Sequence, residues 1–252
     1  MKSNTIQTSL GSIHVVSNQV PGTVPVLFLH GVYFDHHMWS YQMSRVTDRT
    51  VIAIDMPFHG KSKQIIRRDW DLDDCVELVV EVLDVLGIEK AAGIGHSWGS
   101  MTLLRSAVRH PHRFASLGLC NMPYKKLSAL QSWQIRLQHT AMMFRGFYMR
   151  QAAKALMARS ATEVNIRYLA GPMSQLSNAE IRHTDRAVRI DADDATSLIR
   201  RLTVPTLALI GKEDYVGVPP FLQTTIVSGG HVSPIEAPDE VVSFVERVLS
   251  VG

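Results

Sequence analysis

The stretch Ala91-Ala-Gly-Ile-Gly-His-Ser-Trp-Gly-Ser100 decides the fold of this chain of 252 residues. It opens with a short run that is apolar on both faces, which is typical of a strand in a buried parallel sheet. It then turns at Gly95-His96-Ser97-Trp98-Gly99 and continues from Met101 in a helical pattern. This turn matches G-x-S-x-G, and a serine at such a strand-to-helix turn has a strained backbone and an exposed hydroxyl. Ser97 is therefore the predicted nucleophile.

Similar apolar runs recur on both sides of this stretch, with helical patterns between them. Strands that alternate with helices predict a doubly wound α/β fold with a mostly parallel sheet. Residues 72–86 carry one apolar face at helical spacing, with Asp71 as the expected N-cap and Gly87 as the expected stop. Pro238 is expected to begin the last helix. The further predicted strands are 24–29, 50–54, 116–120, 206–210 and 224–227, and residues 5–16 are expected to form an edge hairpin.

Residues 124–190 interrupt this alternation. The segment shows helical patterns, a turn expected at Gly171-Pro172, and no clear strand. It carries eleven cationic side chains, Arg159 among them, against three acidic ones, a local net charge of +8. We therefore expect a helical cap inserted in a core formed by residues 1–123 and 191–252.

A serine hydroxyl needs a base at neutral pH, and His231 is the leading candidate. It lies in a Gly-rich loop after the last predicted strand, in the chain order serine, acid, histidine. Asp214, just beyond the strand 206–210, is favoured as the acid over Glu213, because adjacent residues on an extended segment point opposite ways. The predicted backbone donors for a developing oxyanion are Trp98, which follows the nucleophile, and Val32.

Composition restricts the partners. A net charge of +3 is too small to indicate nucleic-acid binding, and Cys75 and Cys120 are expected to be reduced core residues. The chain shows no signal-peptide pattern and no apolar run of membrane-spanning length, so a cytoplasmic location and no membrane partner are expected. No metal or organic cofactor is predicted, and Asp35-His36-His37 is considered a poor metal site because consecutive residues face different ways. The oligomeric state is left open.

Five motifs in order resemble the α/β-hydrolase superfamily, whose capped serine hydrolases include carboxylesterases and lactonases. The oxyanion loop is similar at His30-Gly31, the nucleophile elbow at residues 95–99, and the acid turn at residues 211–214. The histidine turn is similar at Gly230-His231, and residues 55–62 resemble the segment D-x-P-G-H-G-x-S, with Phe58 in place of glycine. The resemblance implies that residues 124–190 cover the active site. Some relatives carry the acid after the strand before the cap, where this chain has Asn121.

The interval from Asp214 to His231 departs from the family. It is shorter than usual, and the prolines at 219 and 220 leave little room for a helix, so that helix is expected to be curtailed or missing. This shortness leaves the geometry between the two residues open.

The resulting prediction is hydrolysis of a small or medium, largely apolar carboxylic ester or related acyl compound through an acyl-enzyme on Ser97. Epoxide hydrolases and haloalkane dehalogenases of the resembled fold attack with a carboxylate, so Ser97 argues against both. The loop after His30 lacks the H-G-G-P-G of proline iminopeptidases, which leaves a peptidase as a weak alternative. Lactonase, thioesterase and carbon–carbon bond hydrolase remain alternatives, as do a slow-turnover ligand receptor and a cofactor-free oxygenase on the same scaffold.

Overall fold

An eight-stranded sheet runs through the computed structural model, which describes residues 1–20, 22–157 and 162–252. The four central strands are fully buried, as runs that are apolar on both faces require. The predicted mostly parallel sheet is confirmed. The strands are β1 (Lys2–Thr8), β2 (Gly11–Ser17), β3 (Val26–Leu29), β4 (Val51–Ile54), β5 (Ala91–His96), β6 (Phe114–Cys120), β7 (Thr206–Gly211) and β8 (Gln223–Val227).

The strand order is β1-β2-β4-β3-β5-β6-β7-β8. β1 and β2 form the predicted antiparallel edge hairpin, β2 also pairs antiparallel with β4, and the remaining pairs are parallel. In register, Leu29 lies opposite Gly95, and His96 lies opposite Cys120. Gly211 lies opposite Val227 at the other end of the parallel part. The parallel strands therefore end along one edge, and the predicted site residues follow those ends.

The helices flank this sheet. The helix that begins at Leu72 is capped as predicted, since Asp71 accepts from the backbone N–H groups of Asp73 and Asp74 and Gly87 has a φ of 66°. The last helix begins at Pro238 as predicted and buries its apolar face. The helices are α1 (Ser40–Arg45), α2 (Leu72–Val85), α3 (Trp98–Arg109), α4 (Ala129–Gln138), α5 (Arg145–Met157), α6 (Glu163–Ser174), α7 (Asn178–Asp185), α8 (Thr196–Arg200), α9 (Ser233–Glu236) and α10 (Pro238–Ser250).

Within residues 124–190, the described part contains helices α4 to α7, a 3-10 segment at His139–Phe144 and a π-helical turn at Arg186–Ile190, and no strand. That this segment forms a separate cap stays a prediction, and Arg159 lies outside the described residues. The turn expected at Gly171-Pro172 is wrong, because both residues lie inside α6. Leu169 and Met173 on that helix are fully buried, and their packing outweighs the cost of a proline near the helix end.

None of the helices formed by the described residues has the length and apolar character needed to cross a lipid bilayer.

Candidate active site

Ser97 lies at the junction of β5 and α3 with a left-handed backbone, φ 49° and ψ −108°. Its N–H donates to the carbonyl of Cys120 on the next strand, at 2.9 Å. The flanking glycines allow this turn: a Cβ at Gly99 would lie 2.3 Å from the carbonyl oxygen of Leu29, and one at Gly95 would lie 2.5 Å from the backbone of α3. The strained turn predicted from the sequence is confirmed, and packed backbone on both sides maintains it.

His231 connects the predicted nucleophile to the predicted acid. Its Nε2 lies 3.0 Å from Ser97 Oγ, and its Nδ1 lies 3.0 Å from Asp214 Oδ1. A carboxylate accepts hydrogen bonds, so Nδ1 carries the proton that it donates to Asp214, and the Nε2 lone pair faces the serine hydroxyl. The His231 and Asp214 side chains expose 5% and 0% of their surface. The structure thus brings the three residues into one hydrogen-bonded chain.

Asn121 holds the other oxygen of Asp214. Its Nδ2 donates to Asp214 Oδ2 at 2.7 Å and to the carbonyl of Gly230 at 3.2 Å, while the N–H of Val216 donates to Oδ1 at 3.2 Å. Burial alone would raise the pKa of Asp214, but the bonds and charge of His231 and the bond from Asn121 lower it below its ordinary value. Glu213, by contrast, has an exposed side chain, and its N–H donates to the carbonyl of Gly229.

The short interval between Asp214 and His231 does not separate them. No helix forms between β7 and β8, all of whose connecting residues are described, so the expectation of a missing helix is confirmed. Backbone bonds tie the two strand ends together, from Lys212 N–H to the carbonyl of Val227 at 2.8 Å and from Glu213 N–H to that of Gly229 at 2.9 Å. Adjacent parallel strands thus hold the acid turn against the histidine loop.

N–H groups next to Val32 and Trp98, the two predicted oxyanion donors, are engaged elsewhere, and the donor role of these two residues stays a prediction. The N–H of Ser97 donates to the carbonyl of Cys120 on β6, and the N–H of Gly99 donates to the carbonyl of His30, just beyond β3. Trp98 is the first residue of α3, where N–H groups lack partners within the helix. After Val32, Tyr33 donates its N–H to His59 Nε2 at 3.1 Å, and Phe34 donates to the carbonyl of Gly31 at 3.3 Å. Val32 lines the same pocket as Ser97 and His231.

A buried network connects the loop after Gly31 to α7. The Tyr33 hydroxyl donates to Asp185 at 2.7 Å, and Asp185 also contacts His139 Nε2 at 2.8 Å and Arg189 Nη1 at 3.0 Å. Burial would raise the pKa of Asp185, but the charge of Arg189 and the bonds from His139 and Tyr33 lower it. Tyr33 also has a φ of 72°, so its backbone is strained. Sequence reasoning missed this network, because no pattern connects Tyr33 to a residue 152 positions away.

Asp55 is the centre of a second buried cluster. Its carboxylate contacts the Nδ1 atoms of His14 and His36, both at 2.8 Å, and accepts the backbone N–H groups of His36 and Lys61. Burial would raise the pKa of Asp55, but these histidine bonds lower it strongly. In the same segment Phe58, at the position of a glycine in the resembled motif, has a positive φ of 70° and packs against Trp70.

Two groups of potential metal ligands share His36. They are His14, His36 and Asp55, and Asp35, His36 and His37, with ligand atoms within 4.8 Å of one another. The expectation that residues 35–37 face different ways is wrong, since a 3-10 turn brings the His36 and His37 rings together, with 4.0 Å between their centroids. In both groups the carboxylate already accepts hydrogen bonds from imidazole and backbone N–H groups, which gives these contacts a structural role.

A pocket with a cavity volume of about 80 Å³ opens at Ser97 and His231. Its walls are mostly apolar, and Leu156 and Val188 from the helical segment contribute to them. His96 also lines the pocket. Burial lowers its pKa to about 3, so it is neutral, and its Nε2 donates to the carbonyl of His231 at 2.7 Å. The apolar side chains of the helical segment divide between core and surface: Met142, Tyr148 and Met157 are buried, and Trp133, Met143, Phe144 and Phe147 are exposed.

Comparison with known proteins defines the class. A family model described as alpha/beta hydrolase fold matches residues 24–179, more than half of the chain. The chain belongs to this family.

Particular relatives match over shorter spans. The chain is 39% identical over 99 residues to the dihydrolipoyllysine-residue acetyltransferase component of the acetoin cleaving system of Pseudomonas putida, covering 39% of this chain and 26% of that protein. It is 28% identical over 137 residues to epoxide hydrolase 4 of Homo sapiens, covering 54% of this chain and 37% of that protein. Both matches span well under two thirds of the relative's length. A thermophilic esterase from Thermogutta terrifontis has the same fold, with a TM-score of 0.83 at 23% identity, covering 99% of this chain and 98% of that one.

Proposed function

We propose that the protein is a serine hydrolase that cleaves a small or medium carboxylic ester or related acyl compound through an acyl-enzyme on Ser97. The observation that carries the proposal is the chain of contacts from Ser97 Oγ through His231 to Asp214, with both distances 3.0 Å. In such an arrangement a buried carboxylate fixes the histidine tautomer that can accept the serine proton.

In the acylation step, His231 Nε2 takes the proton of Ser97 as Oγ forms a bond to the substrate carbonyl carbon. Negative charge develops on the carbonyl oxygen, where the backbone N–H groups of Val32 and Trp98 would stabilise it. As the tetrahedral intermediate collapses, the bond to the leaving oxygen breaks and His231 transfers its proton to that oxygen. Asp214 stabilises the imidazolium during both transfers.

In the deacylation step, water attacks the acyl-enzyme carbonyl while His231 Nε2 takes the water proton. The second tetrahedral intermediate expels Ser97, which regains its proton from His231, and the carboxylic acid is released. The apolar pocket walls suit an acyl chain of small or medium size.

Ester cleavage is favoured over epoxide opening, although an epoxide hydrolase is among the relatives. Enzymes of this fold that open epoxides use a carboxylate nucleophile, and position 97 holds a serine. An esterase shares the whole fold, which agrees with the proposal. A lactone would react by the same steps, with the alcohol remaining attached to the product, so lactones belong to the proposed substrate range.

Steady-state hydrolysis of a p-nitrophenyl ester series, with wild type and Ser97→Ala, tests the proposal. We expect Ser97→Ala to lose at least about 10³-fold in kcat. Ser106→Ala is the matched control, because Ser106 is a buried serine on the same helix whose hydroxyl bonds the carbonyl of Thr102. Full activity of Ser97→Ala, or an equal loss in both variants, would refute the proposed mechanism.

A further inference from the structure

The pocket at Ser97 presents positive charge to a ligand. Arg189 and Lys125 are among its lining residues. Among the residues that the structure describes, no aspartate or glutamate lines this pocket. The nearby carboxylates of Asp185 and Asp214 expose 0% of their side-chain surface. A bound molecule would therefore contact cationic groups directly. It would not contact the two carboxylates, because other side chains cover them.

Arg189 has donors to offer such a molecule. Its side chain is 35% exposed, and its ion pair to Asp185 uses Nη1 at 3.0 Å. A guanidinium carries five N–H donors in a planar fork, so this ion pair leaves donors for a second acceptor. Asp185 also accepts from Tyr33 and His139, so its negative charge is distributed over three donors. Arg189 lines the pocket, and the ion pair fixes its head group, which lowers the entropic cost of binding a ligand to it.

Lys125 adds a second positive charge at the same pocket. Its side chain is exposed, and it lies at the start of residues 124–190, a segment that contains eleven cationic and three acidic side chains. A field of one sign over a cleft raises the local concentration of oppositely charged ligands. The same pocket is also lined by aliphatic side chains such as Leu127, Leu156 and Val188.

We propose that the natural acyl substrate carries a carboxylate, which Arg189 binds with support from Lys125, while a short aliphatic chain lies along the apolar walls. The substrate class is thus a monoester of a dicarboxylic acid, or a lactone of a hydroxydicarboxylic acid that keeps one free carboxylate. This inference rests on the proposed serine hydrolysis and deepens it, since Arg189 would determine specificity at the same site.

The test compares two p-nitrophenyl esters of equal acyl length, the anionic hemiglutarate and the neutral pentanoate. The readout is the ratio of their kcat/KM values for wild type, Arg189→Gln, Arg189→Lys and Lys125→Gln. Arg182→Gln is the control, because Arg182 is an exposed cation on α7 that lines a different cavity. Calorimetric binding of monomethyl glutarate to Ser97→Ala, with and without Arg189→Gln, gives the same information without turnover.

We expect wild type to prefer the hemiglutarate, and Arg189→Gln to lower the ratio by about tenfold or more. Arg189→Lys should recover part of the loss, Lys125→Gln should lower the ratio less, and Arg182→Gln should leave it unchanged. Rising salt should weaken the preference of wild type. An unchanged ratio in Arg189→Gln, or equal binding of monomethyl glutarate with and without Arg189, would overturn the inference. If wild type and Ser97→Ala hydrolysed both esters equally, the proposed hydrolysis would be refuted. The carboxylate site would still stand if monomethyl glutarate bound more weakly without Arg189.

Discussion

Asp214→Asn is the substitution whose effect the geometry predicts in most detail. The Asp214 carboxylate accepts from donors on both sides: His231 Nδ1 and Val216 N–H on Oδ1, and Asn121 Nδ2 on Oδ2. An asparagine amide has one accepting oxygen and one donating NH₂ group. In either orientation its NH₂ therefore faces a donor.

The orientation decides the fate of the base. If the NH₂ group turns to His231, Nδ1 must accept, the proton moves to Nε2, and that nitrogen can no longer take the proton of Ser97. If the NH₂ group turns to Asn121, the tautomer is kept, but two donors oppose each other where a 2.7 Å bond now lies. The wrong tautomer in a serine–histidine–acid arrangement costs roughly 10⁴-fold in kcat, and we expect a loss of that order.

A second substitution isolates the tautomer. In Asn121→Asp combined with Asp214→Asn, the carboxylate at position 121 would accept from the NH₂ group at position 214, and the amide oxygen at position 214 would then face His231. The bond from Asn121 to the carbonyl of Gly230 is lost in this variant, so the recovery is expected to be partial. Asn121 has a φ of 51°, a conformation that aspartate also tolerates, so the backbone need not move. We expect the double variant to recover at least about tenfold of the lost kcat.

The assay is kcat for a p-nitrophenyl ester, with circular dichroism to show that each variant is folded. Glu213→Gln is the control, because its exposed side chain lies next to the acid in sequence, and its kcat should stay within about threefold of wild type. A double variant no faster than Asp214→Asn would refute the tautomer argument. A larger loss in Glu213→Gln than in Asp214→Asn would refute the choice of acid.

Three further predictions concern the buried polar groups. Tyr33→Phe removes the donor to Asp185, so we expect the free energy of unfolding in urea to fall by about 1.5 to 3 kcal/mol. We also expect a larger change in kcat than in KM, because Tyr33 lies in the predicted oxyanion loop. A change in KM alone would count against that link. Asp55→Asn places an NH₂ group against the donors of His14 and His36, and we expect it to lower the free energy of unfolding by about 3 kcal/mol or more. A loss under about 1 kcal/mol would contradict a structural role for the cluster. Burial lowers the pKa of His96 to about 3, so between about pH 6.5 and 3 the unfolded chain binds a proton at this residue that the native state does not. The free energy of unfolding should therefore fall as the pH falls through this range, by about 1.4 kcal/mol per pH unit from this group. Urea titrations at several pH values should show a shallower slope for His96→Gln, and equal slopes would contradict the neutral histidine.

Local patterns predicted the sheet and the contacts around Ser97 well. The central strands lie within two residues of their expected bounds, because apolar runs of about five residues are too short for a buried helix and are typical of a buried sheet. The elbow followed from Gly95 and Gly99, whose lack of a Cβ permits close backbone contacts. His231 and Asp214 were located by chain order and by their positions after strands.

Contacts between distant parts of the chain were not predictable in this way. In the sequence, Asp185 is only one of three acids in a basic segment, and nothing there indicates that it is buried and bonded to Tyr33. The resemblance marks position 121 only as one where some members of the family carry the acid, and the bond from Asn121 to Asp214 depends on how β6 and β7 pair. Gly171-Pro172 is a strong local turn signal, and tertiary packing overrode it. In each case the deciding energy comes from tertiary contacts, which periodicity and spacing do not encode.

Trapping the acyl-enzyme tests the central claim most directly. Wild type and Ser97→Ala would be mixed with a p-nitrophenyl ester, quenched in acid at short times, and measured by intact mass and peptide mapping. We expect a burst of p-nitrophenol and one acyl group on Ser97 in wild type, and neither in Ser97→Ala. An acyl group on another residue, or continued hydrolysis without any acylated serine, would contradict it.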